Sequence, residues 1–151
     1  MKKIGIVLIA LLFITAGCGK KEEPVKTMKC SLSNSQNGMD FKSTYEVKHK
    51  GGDVLKIDTK EVMISDDEEG LETLAAQVRT LYSSFTKIDG YEADVNVTGD
   101  TLTSIVSINY ETINTDELLK ISPELKQIIK DGKVSVDDIK DIYIQLGATC
   151  D

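Results

Sequence analysis

Between Phe41 and Tyr110 the apolar residues change period twice, and that change restricts the fold more than any other feature of the chain. Phe41, Tyr45 and Val47 share one face at period two, as a half-buried strand requires. Gly51-Gly52-Asp53 then turns the chain into a third strand from about Val54 to Ile64, in which Leu55 and Ile57 alternate with Lys56 and Asp58. From Leu71 the spacing becomes helical, through Leu74, Ala75, Val78, Leu81, Tyr82 and Phe85, after Ser65-Asp66-Asp67-Glu68-Glu69 as cap and acidic first turn. Period two then returns. Tyr91, Ala93, Val95 and Val97 alternate with polar residues, Gly99-Asp100 turns, and Leu102, Val106, Ile108 and Tyr110 face inward from the returning strand.

A short strand from Met28 to Ser33 precedes this block. Beyond it three helical segments are expected: Asp116 to Ile121, a second opened by Ser122-Pro123 and ended at Asp131-Gly132, and a third capped by Ser135 and stopped by Gly147. Val134 and Ile139 stand where a hydrophobic staple would sit. The order β-β-β-α-β-β-α-α predicts an α+β domain, an antiparallel meander and a second hairpin packed against amphipathic helices. Strand order does not follow from these patterns.

The start of the chain reads as an address. Lys2 and Lys3, the apolar run Ile4 to Ile14 and the small pair Ala16-Gly17 before Cys18 form a lipoprotein signal peptide over residues 1–17. An apolar run of about eleven residues is too short to span a bilayer, which takes roughly 20. Cys18 is then the lipidated first residue of the mature chain. Thr15 stands where such signals usually carry leucine, and the alternative is an ordinary secretory signal cut nearby. Residues 18–27 follow as a charged tether interrupted by Pro24, and residues 28–151 as one domain.

Loss of Lys2 and Lys3 makes the mature chain two units more negative than the full chain's −7. An acidic surface argues against nucleic acid, whose phosphates demand Lys and Arg. It argues equally against electrostatic adhesion to an anionic leaflet, so membrane attachment falls to the lipid on Cys18. Cys30 and Cys150 remain as an even pair in an oxidising compartment. A disulfide between them closes about 120 residues and is worth roughly 4 to 5 kcal/mol by loop entropy before strain. Catalytic pairs are usually close in sequence as Cys-x-x-Cys, which is absent here.

Motifs for chemistry are sparse. His49 is the one histidine, and no Gly-x-Ser-x-Gly elbow accompanies it. Asp66-Asp67-Glu68-Glu69 reads as a helix start stabilised by its dipole rather than as a cation site. Asp131-Gly132 followed by Asp138 resembles the second half of an EF-hand loop, but Gln127 and Ile129 stand where the first carboxylate ligands belong. The match reads instead as helix, glycine stop and serine cap. Asn96-Val97-Thr98 is a glycosylation acceptor inside a strand. The sequence therefore indicates no catalytic residue, metal or cofactor. Glu92, Asp94, Asn96, Thr98, Thr101, Thr103, Ser107 and Asn109 make one polar sheet face, either solvated or a contact surface, with Glu92, Asp94, Asn96, Thr101 and Thr103 as the candidate binding residues.

Gly17-Cys18, the charged tether, Lys29-Cys30-Ser31, the hairpin through Tyr45 to Ile57, the amphipathic helix, the second hairpin and Leu146-Gly147-Ala148-Thr149-Cys150 together resemble the YehR-like small bacterial lipoproteins. The resemblance spans nearly the whole chain, and rests on layout and the paired cysteines. It implies an α+β fold and an extracytoplasmic, lipid-anchored location at the bacterial cell membrane. It carries over no catalytic residue, since that family has no assigned activity. The expected function is a non-enzymatic binding or accessory module of the cell envelope, contacting an envelope protein or small ligand. The alternatives are an envelope-acting hydrolase using carboxylates such as Asp94 and Glu111, or a structural component of an envelope complex docking through an apolar patch seeded by Ile105.

Overall fold

The computed structural model describes residues 23–36 and 38–151; the expected signal segment, Cys18 and the first part of the tether lie outside them. In chain order the elements are β1 (Val25–Gln36), β2 (Met39–Lys50), β3 (Asp53–Ser65), α1 (Glu68–Tyr82), β4 (Tyr91–Thr98), β5 (Thr101–Asn109), α2 (Thr115–Ile121), β6 (Ile129–Lys130), β7 (Lys133–Val134), α3 (Val136–Gln145) and β8 (Thr149–Cys150). Six strands form one antiparallel sheet in the order β4-β5-β3-β2-β1-β8, and β6 and β7 form a separate hairpin. This is the α+β fold expected, in the expected order. β4 runs parallel to β3 with β5 between them, so the chain needs a long crossover from one to the other, and α1 supplies it.

Alternation decides which face of each strand is buried. Met28, Val47, Ile57, Ile108 and Tyr91 lie side by side across five strands, as do Cys30, Tyr45, Thr59, Val106 and Ala93. The helices cover this side. Leu71 and Ala75 of α1 pack on Val95 and Leu102, while Val136, Ile139 and Tyr143 of α3 join Tyr45, Val47 and Ile57 in a larger cluster. The Tyr143 ring stacks on Tyr45 with centroids 4.1 Å apart.

Local chemistry explains the boundaries. Asp67 caps α1, its Oδ1 accepting from the Gly70 N–H at 2.9 Å, so the acidic run is a helix start. Ser135 caps α3, accepting from Asp138 N–H, with Val134 and Ile139 buried on either side of the cap. Gly147 ends that helix at φ +94°.

Five expectations change in detail. Val25–Thr27, read with the tether, already pair with Lys48–Lys50 in β1, which also continues to Gln36. A bulge pairs His49 with Val54 and Lys48 with Lys56; Leu55 is left without a partner on β2, and Val54 becomes the buried residue. Phe85 belongs to a separate 3₁₀ turn, Phe85–Lys87, beyond α1. The second late helix, expected from Ser122-Pro123 to Asp131-Gly132, is a 3₁₀ turn over Pro123–Gln127 followed by the β6–β7 hairpin. Asp131 and Gly132 both take positive φ, +53° and +75°, as a tight two-residue hairpin of the I′ kind requires. The Asp-Gly pair is thus a strand turn rather than a helix stop.

The chain ends of the domain meet. β8 pairs with β1 at Cys30↔Cys150 and Ser31↔Thr149, and the two cysteines are bonded. Asp151 closes the edge, donating its N–H to Lys29 O at 3.0 Å and accepting from Lys29 N–H through Oδ1 at 2.7 Å. Breaking the disulfide leaves the hydrophobic core in place, so the reduced protein is expected to keep its far-UV circular dichroism while losing about 2–4 kcal/mol in urea titrations. An unchanged midpoint would contradict the staple.

Burial raises the phenols of Tyr91 and Tyr110 from 10.0 to about 12, with Tyr82 and Tyr110 adding to the effect at Tyr91. Burial raises Tyr143 as well. The unfolded chain ionises these phenols near pH 10 and the folded chain does not, so their contribution is complete below about pH 10 and is lost as pH rises toward 12. Phenolate absorbance should therefore lag behind that of free tyrosine and appear together with unfolding; simple titration of all tyrosines near pH 10 in a folded protein would contradict this burial.

Candidate functional site

Among the described residues, the helices all lie on one side of the sheet and none covers the other. Period-two geometry assigns its residues. Glu92, Asp94, Asn96 and Thr98 of β4 stand beside Ser107, Ile105, Thr103 and Thr101 of β5. The candidate residues Glu92, Asp94, Asn96, Thr101 and Thr103 are thus together on the helix-free face. The face continues through Asp58, Lys60 and Val62 of β3, Glu46, Thr44 and Lys42 of β2, and Lys29, Ser31 and Ser33 of β1.

Ser31, Thr44, Lys60, Ile105 and Asp94 follow one another across the strands, and three shallow depressions meet at Thr44. One of about 500 Å³ lies against the disulfide between Lys29, Ser31, Glu46 and Thr149. A second of about 250 Å³ is lined by Lys42, Thr44, Lys60 and Val62, and a third of about 260 Å³ by Glu46, Asp58 and Ile105 among others.

Charges on this face are partly paired. Lys29 Nζ lies 2.9 Å from Glu46, and Lys56 Nζ lies 2.8 Å from Asp58. Partial burial pushes the Asp58 carboxyl up, but hydrogen bonds from Lys56 and Ser107, with the nearby charges of Lys56 and Lys48, hold it below the usual carboxylate range. The hydrogen bond and charge of Glu46 raise the Lys29 ammonium. Such exposed pairs contribute little to stability and chiefly set the pattern of the surface.

Sequence reasoning missed the apolar part. Ile105 was its one seed, but the outward residues of β3 change from Lys56, Asp58 and Lys60 to Val62 and Ile64. Ile105 and Ile64 are 45% and 41% exposed, with half-buried Val62 between their rows. The signal was available as a strand whose outward positions turn aliphatic near its end.

The structure separates the other candidates. Asp94 faces the middle of β5 and Glu111 lies in the turn beyond it, and none of the depressions described contains both. His49 donates through Nδ1 to Gly51 O at 3.0 Å, a contact within its own turn. Among the described residues, no three His, Cys, Asp or Glu side chains come together as a metal site.

If the helix-free face is solvated, Ile105→Glu should change stability by no more than about 0.5 kcal/mol. Leu102→Ala, three residues away on the covered face, should cost about 2–5 kcal/mol. Urea titrations read both, and comparable losses would contradict the two-sided assignment.

Comparison with known proteins agrees with the fold. An NMR structure of Escherichia coli YehR superposes with a TM-score of 0.57 at 22% identity, covering 87% of this chain and 92% of that one. An NMR structure of a protein from Streptococcus pneumoniae TIGR4 gives 0.54 at 16% identity, covering 100% and 98%. At these identities the likeness shows the fold alone. No curated protein matches the chain. Residues 19–151 match the family described as Domain of unknown function (DUF8824), and the chain belongs to that family.

Proposed function

We propose that the chain is a membrane-anchored extracytoplasmic lipoprotein, a non-enzymatic binding or accessory module of the cell envelope that meets its partner through the helix-free sheet face. The observation that carries this reading is the one-sided placement of the helices. It leaves a broad polar surface with depressions meeting at Thr44 and an aliphatic group, Val62, Ile64 and Ile105, beside them. Exposed aliphatic groups rimmed by polar residues are a common form of protein contact surface. This favours an envelope protein as partner and gives the assembly reading a surface of its own.

The anchor rests on the signal pattern before Cys18. Seven residues from Cys18 to Val25 reach at most about 25 Å, so a lipid on Cys18 would hold the Gly51-Gly52 end of the sheet near the membrane. Two acyl chains would make that attachment stable without help from the acidic surface. No cofactor or nucleic acid enters this reading.

Two readouts on protein expressed in its own membranes test the proposal. Intact mass should correspond to residues 18–151 plus a lipid; an unlipidated mass would refute the anchor. A photo-crosslinking residue at Ile105 should give a discrete adduct that survives His49→Ala, whereas one at exposed Gln77 of α1 should not. Equal labelling at both positions, or none at Ile105, would refute the sheet-face contact.

A further inference from the structure

The helix-free face is not uniform in charge. On a chain of net charge −7, the lysines Lys29, Lys42, Lys48, Lys56 and Lys60 all stand on its β1–β3 part, by the same parity that puts Ile105 there. Its rows differ in how those charges are met. In the row Lys29, Glu46, Asp58, Ser107, Glu92, cations and carboxylates are neighbours: Lys29 pairs with Glu46, and Asp58 is held by Lys56 and Ser107 with the charge of Lys48 nearby. The next two rows read Ser31, Thr44, Lys60, Ile105, Asp94 and Ser33, Lys42, Val62, Thr103, Asn96.

In those two rows Lys42 and Lys60 are left over. Neither has an ion-pair partner among the described residues. The carboxylates nearest along the strands are engaged elsewhere: Asp40 accepts from Ser35 Oγ, and Asp58 belongs to Lys56. Lys42 and Lys60 are diagonal neighbours on β2 and β3, about 7–8 Å apart at the backbone. Both line the depression of about 250 Å³ with Thr44 and Val62. Two like charges so placed repel, and an anion between them would relieve both. Val62 and Ile105 stand diagonally in the same two rows, so the lysine pair and the aliphatic pair share one patch.

We propose that the segment this face receives is an acidic stretch of a partner protein, whose Asp or Glu carboxylates sit between Lys42 and Lys60 and whose aliphatic residues cover Val62 and Ile105. This rests on the reading of the helix-free face as the partner surface and names what the partner presents to it. Charge complementarity sets register and encounter rate, and the aliphatic contact supplies the dehydrated centre. Anionic lipid headgroups carry the same charge, but they are too far away. Lys42 lies eight residues before Lys50 in β2, about 27 Å from the tethered end of the sheet. Surface charges act over roughly 8 Å at physiological salt. The occupant is therefore a protein rather than the lipid surface.

The test uses the full chain in its own membranes. A zero-length carbodiimide, which condenses a lysine amine with a carboxylate to an amide, should join Lys42 or Lys60 to Asp or Glu residues of a second protein, read by peptide mass spectrometry. Exposed Lys87, beyond α1, should give no such link. The photo-adduct at Ile105 should fall at least about tenfold in Lys42→Glu/Lys60→Glu and persist in Lys42→Arg/Lys60→Arg. Both lysines are exposed, so the variants should keep the wild-type circular dichroism. An Ile105 adduct undiminished by charge reversal, equal loss in the arginine pair, or carbodiimide links no more frequent at Lys42 and Lys60 than at Lys87 would overturn the acidic segment while leaving the partner surface standing. A lipid adduct at Ile105 would overturn it in favour of the membrane. No adduct at Ile105 would refute the surface itself and this inference with it.

Discussion

The structure depends on one constraint: β2, β3, β4 and β5 each present apolar residues to the same side of one sheet, in a register that lines them into rows. Val47, Ile57, Ile108 and Tyr91 form such a row, and a one-residue slip of any strand would turn its apolar set toward water. The arrangement needs cover on one side only. α1 and α3 supply it, and among the described residues no helix covers the opposite side of the sheet.

Much of this was legible in the sequence because both periods are strong. β4 and β5 follow an alternation unbroken from Tyr91 to Val97, and α3 is announced by Ser135 with Val134 and Ile139 around the cap. The meeting of Cys30 and Cys150 was expected from pairing the two cysteines that remain once Cys18 is set aside. Sequence pattern failed where one signal serves two structures. Asp131-Gly132 can stop a helix or turn a hairpin, and Pro123 to Gln127 contains ordinary helix formers, so local propensity favoured the wrong choice. Strand order was beyond reach because it depends on how far α1 carries the chain across the sheet.

The candidate site shows the same division. Alternation placed Glu92, Asp94, Asn96, Thr101 and Thr103 on one face, but it could not show that β3 lies beside β5 and brings Val62 and Ile64 onto the same face as Ile105. Nor could it show that Lys42 and Lys60 fall diagonally across β2 and β3, which depends on the strand register. The aliphatic group departs from the rule that outward residues are polar, and the departure marks a place where packing alone does not account for the residue.

The account's central claim is that the open side of the sheet is a contact surface, and hydroxyl-radical footprinting compares it directly with the rest of the molecule. The measurement is the labelling of intact protein in its native membranes against that of purified protein in detergent. The account predicts protection in the membrane at Val62, Ile64 and Ile105, with no change at Leu81, Ile144 and Leu146, exposed apolar residues of α1 and the end of α3. Equal labelling of Ile64 and Ile105 in both states, or protection confined to the helical side, would contradict it.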